Sequence, residues 1–249
     1  MKRLKVKRIA VFLLFLSFCF PAYLYRDKVY EKISNEIFYA RSGGPKEFKK
    51  MSLTFDDGPG ATTEKILEIL KEKNVKATFF MLGRQVEKNP LLAKKVLEAG
   101  HEVQNHMYSH IRYFDYKEKD KYEKMKDELL KAEESIKKHT GFKTYLIRFP
   151  YGYSKSDAKK MASENGYRMI NWTYGYDYYK KPAAEEIYKQ YASRIKSGAI
   201  FLMHDSWDYD EEMSNERLLS FLGDLIDEIK AKGYELVTVS ELFGLEKAG

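Results

Sequence analysis

The sequence predicts an α/β protein, an incomplete or distorted parallel (β/α) barrel of about seven strands. Short apolar runs of strand length alternate with longer segments whose apolar residues recur at helical spacing. Several helical segments are closed by a glycine, as helix C-termini commonly are, at Gly100, Gly166, Gly198 and Gly233. A doubly wound parallel sheet is the alternative that the same alternation allows.

The alternation begins near Lys49 and continues almost to the end of the chain. Seven segments have the length and composition of buried strands, namely 51–55, 77–81, 102–105, 145–148, 168–172, 199–203 and 236–239. Six segments predict helices, namely 63–72, 91–99, 119–138, 156–165, 184–196 and 216–232. Because the carboxyl ends of parallel strands meet at one end of a barrel, polar residues that follow these strands are expected to lie together.

The N-terminus has the layout of an export signal. An apolar run at 9–25 is preceded by a basic cluster of Lys2, Arg3, Lys5, Lys7 and Arg8. Charge followed by an apolar segment predicts a signal peptide or signal anchor over 1–25, with the basic end inside. Bulky Phe20 spoils the nearest cleavage site, which favours an uncleaved membrane anchor over a secreted protein. Residues 26–46 then form a linker before a domain at 47–249 that would face outward.

Charge and cysteine content exclude several kinds of partner and ligand. The chain has 44 Lys and Arg residues against 37 Asp and Glu residues, and the whole excess falls within residues 1–46. The predicted domain is therefore neutral overall, which gives no support for nucleic-acid binding. Cys19 is the single cysteine, so an intrachain disulfide is excluded and any metal site must use histidine and carboxylate ligands.

Two adjacent carboxylates, Asp56 and Asp57, follow the first predicted strand in the sequence Thr-Phe-Asp-Asp-Gly-Pro. In isolation this sequence is also typical of a surface turn. At the end of an apolar strand it would place two carboxylates at the mouth of a barrel. Adjacent residues of a strand point to opposite sides, so we expect the two to differ in role, one binding a metal and the other acting as a base.

Histidines and an arginine follow three further predicted strands. His106 and His110 are four residues apart, and on a helical turn both imidazoles would share a face and reach one ion. Solvated or capping histidines are commoner at this spacing alone. Arg148 can pair with a carboxylate and hold it ionised, and His204 suits proton delivery to a leaving group. The remaining histidines, His101 and His139, are expected to be structural or solvated.

Taken in this order, the four segments resemble the polysaccharide deacetylases of carbohydrate esterase family 4, the NodB homology domain. The resemblance covers roughly residues 49–245. It implies a distorted β/α barrel and one divalent metal, most often zinc, with cobalt or another divalent ion as alternatives. It also implies a hydrolase that removes N-acetyl groups from the amino sugars of an N-acetylated glycan polymer such as peptidoglycan or chitin.

The resemblance also implies roles for individual residues. Asp57, His106 and His110 would bind the metal. Asp56 would be the general base that activates water, and Arg148 would orient Asp56 and keep it charged.

Further roles concern the leaving group and the substrate. The resemblance implies that His204 is the acid that protonates the departing amine. The backbone N–H of Tyr151 would stabilise the oxyanion, and Leu202 would shape the acetyl pocket. Tyr153 and Trp207 lie in predicted loops beside these positions, so we expect them, with Tyr151, to contact substrate.

Two positions depart from the family's pattern. Met107 stands where the family usually has Ser or Thr, so another group must brace the metal-binding loop. After the fifth predicted strand the family has two spaced aspartates, whereas this chain has Gly175 and Tyr178, with Asp177 one position away. The sequence leaves open whether Asp177 pairs with Arg148.

The expected function is that of an extracytoplasmic, membrane-tethered deacetylase of a cell-wall glycan, with peptidoglycan as the first candidate. Chito-oligosaccharides, an exopolysaccharide or a non-sugar amide are alternative substrates, because the altered segment at 175–179 would border the cleft. A catalytically weak glycan-binding domain is the alternative from another class. The joint presence of both aspartates, three loop histidines and Arg148 favours an enzyme.

Overall fold

Eight parallel strands form a single sheet in this computed structural model, which describes residues 49–177, 182–207 and 215–245. The signal or anchor predicted at 1–25 and the linker predicted at 26–46 lie outside the described residues. None of the helices within the described ranges combines the length and the apolar character needed to cross a bilayer.

The strands are short and largely buried. They are β1 (Lys50–Asp56), β2 (Thr78–Met81), β3 (Glu102–Asn105), β4 (Leu146–Ile147), β5 (Arg168–Met169), β6 (Tyr174–Gly175), β7 (Ile200–His204) and β8 (Glu235–Leu236). The helices are α1 (Thr63–Glu72), α2 (Gly83–Lys88), α3 (Pro90–Glu98), α4 (Glu118–Thr140), α5 (Ser156–Glu164), α6 (Ala184–Ala192), α7 (Glu216–Ala231) and α8 (Val239–Phe243). Single 3₁₀ turns occur at Tyr113–Asp115 and Pro150–Gly152.

The strand order is β5-β4-β3-β2-β1-β7-β6, and β8 pairs with the start of β1. Because β7 rather than β6 lies next to β1, the strands follow one another in the cyclic order of a barrel. The doubly wound alternative, in which strand order reverses beside the first strand, is therefore wrong. The described pairings end at β5 and β6, so the sheet is consistent with an incomplete (β/α) barrel.

β1 lies at the centre of the sheet, with β2 on one side and β7 on the other. Its residues 51–56 are all buried, and Phe55 stacks on Phe79 of β2 with ring centroids 4.9 Å apart. α7 contributes an apolar face at helical spacing to the same core, through Leu218, Leu222, Leu225 and Ile229. This packing fixes the carboxyl ends of the central strands, where the candidate site residues lie.

All seven predicted strands correspond to observed strands, but several bounds differ and three short elements were missed. Residue 239 was expected to end a strand, whereas Val239 begins α8. Thr238 and Glu241 form a capping box there, with each side chain accepting the other residue's backbone N–H. α2 and β6 are too short for hydrophobic periodicity to reveal them. The helix predicted to reach residue 196 ends at Ala192.

Candidate active site

Both aspartates face the same pocket, so the expectation that they would point to opposite sides was wrong. Asp56 is the last residue of β1, but Asp57 lies beyond the strand and has a left-handed φ of 74°. Strand alternation therefore does not apply to Asp57, and such a φ is uncommon for a non-glycine residue. His106 Nε2 lies 3.7 Å from Asp56 Oδ2 and 3.3 Å from Asp57 Oδ1.

Asp205 and Thr63 brace the loop that carries Asp57. The Asp205 backbone N–H donates to the Asp56 carbonyl at 3.2 Å, and the Thr63 hydroxyl donates to Asp205 Oδ2 at 2.5 Å. A Cβ at Gly58 would overlap the Asp205 carboxylate, so glycine is required at that position. Burial raises the pKa of Asp205 to about 7, although the hydrogen bond from Thr63 opposes this rise. Neither Asp205 nor Thr63 was predicted from the sequence.

His106 and His110 lie in an irregular loop after β3, so the helical turn expected from their spacing was wrong. Met107 and His110 have left-handed φ values of 69° and 57°. The loop still brings the two imidazole rings to a centroid distance of 5.2 Å. His110 Nε2 lies 3.2 Å from Asp57 Oδ1, so both histidines face the same carboxylate.

Backbone and side-chain contacts hold this loop in place of the missing Ser or Thr. His106 Nδ1 lies 2.7 Å from the Arg148 carbonyl, so this nitrogen donates and Nε2 faces the pocket. Asn105 Oδ1 accepts the Met107 N–H at 2.7 Å, and Ser109 donates from its N–H and its hydroxyl to a glutamate of α4. Met107 itself is buried. These hydrogen bonds therefore supply the support for the metal-binding loop that a Ser or Thr at position 107 would give.

Asp57, His106 and His110 form a cluster whose ligand atoms all lie within 4.8 Å of one another. Asp57 Oδ1 is buried and makes no hydrogen bond of good geometry with the described residues. Burial alone would raise the pKa of Asp57, but the contact with His106 and the charge of His110 hold the pKa far below its usual value. An ionised carboxylate with two imidazoles is a donor set that suits a divalent transition metal.

Arg148 is fully buried beside Asp56. Its Nη1 donates to Asp56 Oδ1 at 2.6 Å and to Thr54 Oγ1 at 2.7 Å. Its remaining nitrogens donate to the carbonyls of Ile170 and Asn171. Burial lowers the pKa of Arg148, and the Asp56 charge opposes this change. The pairing expected between Arg148 and a carboxylate is thus made with Asp56.

Asp177 pairs with His204, which resolves the alternative that the sequence left open. His204 Nδ1 donates to Asp177 Oδ1 at 2.9 Å, and the His204 backbone N–H donates to Oδ2 at 2.8 Å. Burial alone would lower the pKa of His204, but the Asp177 charge and hydrogen bond raise it to about 10. Tyr178, the other altered position named above, lies outside the described residues. Gly175 lies against Leu202, where a Cβ would approach the leucine side chain within 3.0 Å.

A pocket of about 380 Å³ connects these groups. Its lining includes the Asp57, His106 and His110 cluster and also Asp56, His204, Phe149, Tyr151, Trp172, Leu202 and Trp207. Of the four substrate contacts predicted from the sequence, Tyr151, Leu202 and Trp207 line the pocket, whereas Tyr153 does not.

The expectation that Tyr153 contacts substrate is contradicted by its burial. Its ring is fully buried, and its hydroxyl donates to Asp157 Oδ2 at 2.6 Å. Phe149 and Trp172 line the pocket but were not predicted as contacts; each follows a strand, and that position was the available signal. His101 is structural as expected, since burial, helped by the charge of Lys76, lowers its pKa to about 4.

Comparison with known proteins identifies the family. Residues 43–170 match the profile of the polysaccharide deacetylase family. The chain is also 34% identical over 201 residues to a peptidoglycan-N-acetylglucosamine deacetylase of Bacillus cereus, a match that covers 80% of this chain and 90% of that relative. The chain therefore belongs to the polysaccharide deacetylase family.

Solved structures show the same relationship. A peptidoglycan N-acetylglucosamine deacetylase crystallised with an N-hydroxybenzamide compound superposes with a TM-score of 0.74 at 32% identity, covering 82% of this chain and 92% of that chain. A family 4 pseudoenzyme from Bacillus anthracis superposes with a TM-score of 0.70 at 30% identity, covering 80% of this chain and 67% of that chain. Because a pseudoenzyme shares this fold, the fold alone does not distinguish an active member of the family from an inactive one, and the residues of the pocket must be compared.

Proposed function

We propose that this protein is a metal-dependent N-deacetylase that hydrolyses the acetamido groups of amino sugars in peptidoglycan. The observation that carries the proposal is that two side-chain pairs meet the three-ligand cluster in one pocket. In one pair the Asp56 carboxylate accepts from Arg148. In the other, His204 donates to the Asp177 carboxylate. The substrate class is supported by the similarity to peptidoglycan deacetylases and by the aromatic side chains that line the pocket.

The donor set fits a single zinc ion. Zinc ligands at about 2.0–2.1 Å in tetrahedral geometry are about 3.3 Å apart, and Asp57 Oδ1 lies 3.3 and 3.2 Å from the two Nε2 atoms of His106 and His110. Asp57 Oδ1 is also a buried acceptor that lacks a well-formed hydrogen bond. When bound, a divalent cation would lower the pKa of a water ligand and polarise the acetyl carbonyl.

In the first chemical step, one residue accepts a proton from water and another donates a hydrogen bond to the oxyanion. Asp56 accepts a proton from the attacking water as the water oxygen adds to the acetyl carbonyl carbon. Arg148 keeps Asp56 oriented through the 2.6 Å hydrogen bond. The backbone N–H of Tyr151, in a turn whose left-handed φ is 56°, donates to the developing oxyanion.

The second step releases the amine. His204, whose pKa is raised to about 10, is protonated at neutral pH and gives its Nε2 proton to the departing nitrogen. The carbon–nitrogen bond breaks, and the products are acetate and a free amino sugar. Leu202 and Trp172 line the pocket where the acetyl methyl group would be excluded from water.

We further propose that the N-terminal segment at 1–25 anchors the protein in the cell membrane, with the catalytic domain on the extracytoplasmic side. The basic cluster followed by an apolar run supports this arrangement. Protein sequencing of the membrane fraction is expected to find a start at or near Met1. A start near Tyr23 in protein recovered from the medium would show cleavage and secretion instead.

A catalytically weak glycan-binding domain is the second candidate, because a family 4 pseudoenzyme has the same fold. The complete set of Asp56, Arg148 and His204 around the cluster favours the enzyme. The test is acetate release by the full-length protein from acetylated peptidoglycan and from chito-oligosaccharides, with added zinc and with a chelator. Release that the chelator abolishes and zinc restores supports the enzyme; binding of glycan without release supports the second candidate.

A further inference from the structure

We propose that a surface beside the active-site pocket binds additional, carboxylate-bearing sugars of the glycan strand. This surface, which we call the aromatic shelf, consists of Arg112, Phe114, Tyr116, Tyr151 and Lys155. The proposal rests on the proposed function and specifies its substrate: a glycan whose neighbouring sugars carry free carboxylates, as N-acetylmuramic acid does where no peptide is attached to its lactyl group, is favoured over a neutral chitin-like chain.

Exposed aromatic side chains are concentrated on this surface. Among the described residues, five large apolar side chains are strongly exposed, and the two aliphatic ones, Leu91 and Leu130, lie on helices. The three aromatic ones are Tyr151 at 50%, Phe114 at 46% and Tyr116 at 40% exposure. All three belong to the segments 112–116 and 150–153, which follow the metal-cluster loop and β4. Exposed aromatic rings gathered beside a pocket are typical of a binding surface.

The shelf is continuous with the active site through Tyr151. The Tyr151 ring lines the pocket and lies 4.6 Å from the His110 ring. The Arg112 guanidinium lies 5.9 Å from the centroid of the same Tyr151 ring. A glycan strand that places one acetamido group in the pocket can therefore extend its next sugars over this surface.

Buried aromatic residues hold the shelf in a fixed position. Phe114 packs edge-to-face on Tyr153 with ring centroids 4.9 Å apart, and Tyr153 is itself fully buried against Tyr113. The Tyr153 hydroxyl is fixed by its hydrogen bond to Asp157. Because the ring of Phe114 is already positioned, a pyranose ring can stack on it with little loss of conformational entropy. This assigns Tyr153 a supporting role in place of the direct contact predicted from the sequence.

The charge of the shelf suits a carboxylate. Arg112 and Lys155 are exposed, and Lys155 Nζ lies 5.9 Å from the Phe114 ring centroid. Arg112 pairs with Asp115 at 3.4 Å, but both side chains are more than 60% exposed, with 62% and 66% accessible surface. Exposed pairs of this kind are weak, so a substrate carboxylate can replace Asp115 as the partner of Arg112.

The test compares two N-acetylated tetrasaccharides on the full-length zinc-loaded protein. One alternates N-acetylglucosamine with N-acetylmuramic acid, and the other contains N-acetylglucosamine alone. For each we measure kcat and KM for acetate release, and Kd by calorimetry. The variants are Phe114→Ala and Arg112→Gln, with Leu130→Ala as a control of equal exposure on α4. Hydrolysis of p-nitrophenyl acetate checks that the catalytic groups are intact.

Phe114→Ala is expected to raise KM about fivefold for both tetrasaccharides, with kcat unchanged, because stacking is lost for each. Arg112→Gln is expected to raise KM about threefold for the carboxylated tetrasaccharide only. The preference of the wild type for that substrate is expected to shrink at high salt, since exposed charges are screened. Both variants behaving as Leu130→Ala does on both substrates would overturn the proposal.

Failure of the proposed function gives a different result. If the wild type releases no acetate from either tetrasaccharide, the deacetylase assignment fails and the Kd values decide the shelf. A Kd for the carboxylated tetrasaccharide that Phe114→Ala and Arg112→Gln both weaken would still support it. Equal Kd values for wild type and both variants would refute it.

Discussion

Asp56 and His204 face the same pocket from paired positions on neighbouring strands, yet their charged partners hold them differently. Asp56 accepts a hydrogen bond from Arg148, whose fully buried guanidinium also donates to Thr54 and to two backbone carbonyls. His204 donates two hydrogen bonds to Asp177, and the His204 side chain is 13% exposed. Asp56 is thus paired with a residue whose charge is permanent, whereas His204 is paired with a carboxylate.

This difference assigns the loss of activity at high pH to His204. A guanidinium stays protonated across the accessible pH range, so its support of Asp56 does not change with pH. The His204 pKa is raised above the ordinary histidine value, so the proton it must deliver is present at neutral pH and is lost as pH rises through the folded-state value. The departures at Gly175 and Tyr178 also fall on this side of the pocket.

Asp56→Asn is expected to have the largest effect, because it removes the base while keeping the shape of the side chain. Acetate release should fall by about 10³-fold. Zinc content measured by atomic absorption should stay at one ion per chain, because the ligand atoms of the cluster are untouched. Activity within tenfold of the wild type would remove Asp56 as the base.

Arg148→Lys tests whether the base needs the guanidinium or only a positive charge. A lysine cannot reproduce the four hydrogen bonds of Arg148, so Asp56 should lose its orientation and kcat should fall by about 10²-fold with little change in KM. Steady-state kinetics check this, with circular dichroism to confirm folding. An unchanged kcat would show that charge alone suffices.

Thr63→Val tests the hydrogen bond to Asp205 that braces the loop carrying Asp57. Loss of the hydrogen bond to Asp205 should loosen the loop that carries Asp57, and zinc affinity should fall by about tenfold. Thr63→Ser keeps the hydroxyl and should bind zinc as the wild type does. Competition with a chromophoric chelator measures both; equal affinity for the two variants would contradict the bracing role.

The sequence predicted the base and the metal-binding residues more completely than it predicted the surroundings of His204. Asp56, Asp57, His106, His110 and Arg148 all lie at the end of a strand or in the loop that follows it, as predicted, because apolar runs followed by polar residues locate strand ends. Their geometry was not predictable, since the left-handed φ of Asp57 and of His110 is uncommon for non-glycine residues and no pattern in the sequence marks it.

The acid side was predicted less well for a physical reason. Asp177 lies next to a short strand, β6, and its distance in sequence from both Arg148 and His204 gives no sign of which one it contacts. Only the pairing of β6 with β7 brings Asp177 beside His204. Tyr153 was predicted to contact substrate because it lies in a loop. Its ring is buried instead, because it packs against the rings of Tyr113 and Phe149.

The pH dependence of kcat for acetate release, compared between the wild type and Asp177→Asn, tests the central contrast most directly. A bound cation would lower the His204 pKa in both proteins alike, so the difference between them reports Asp177. We predict that the fall in kcat at high pH moves to lower pH by more than about one unit in Asp177→Asn, because the carboxylate that raises the pKa of His204 is gone. A high-pH limb at the same position in both proteins would contradict the account of His204 as an acid set by Asp177.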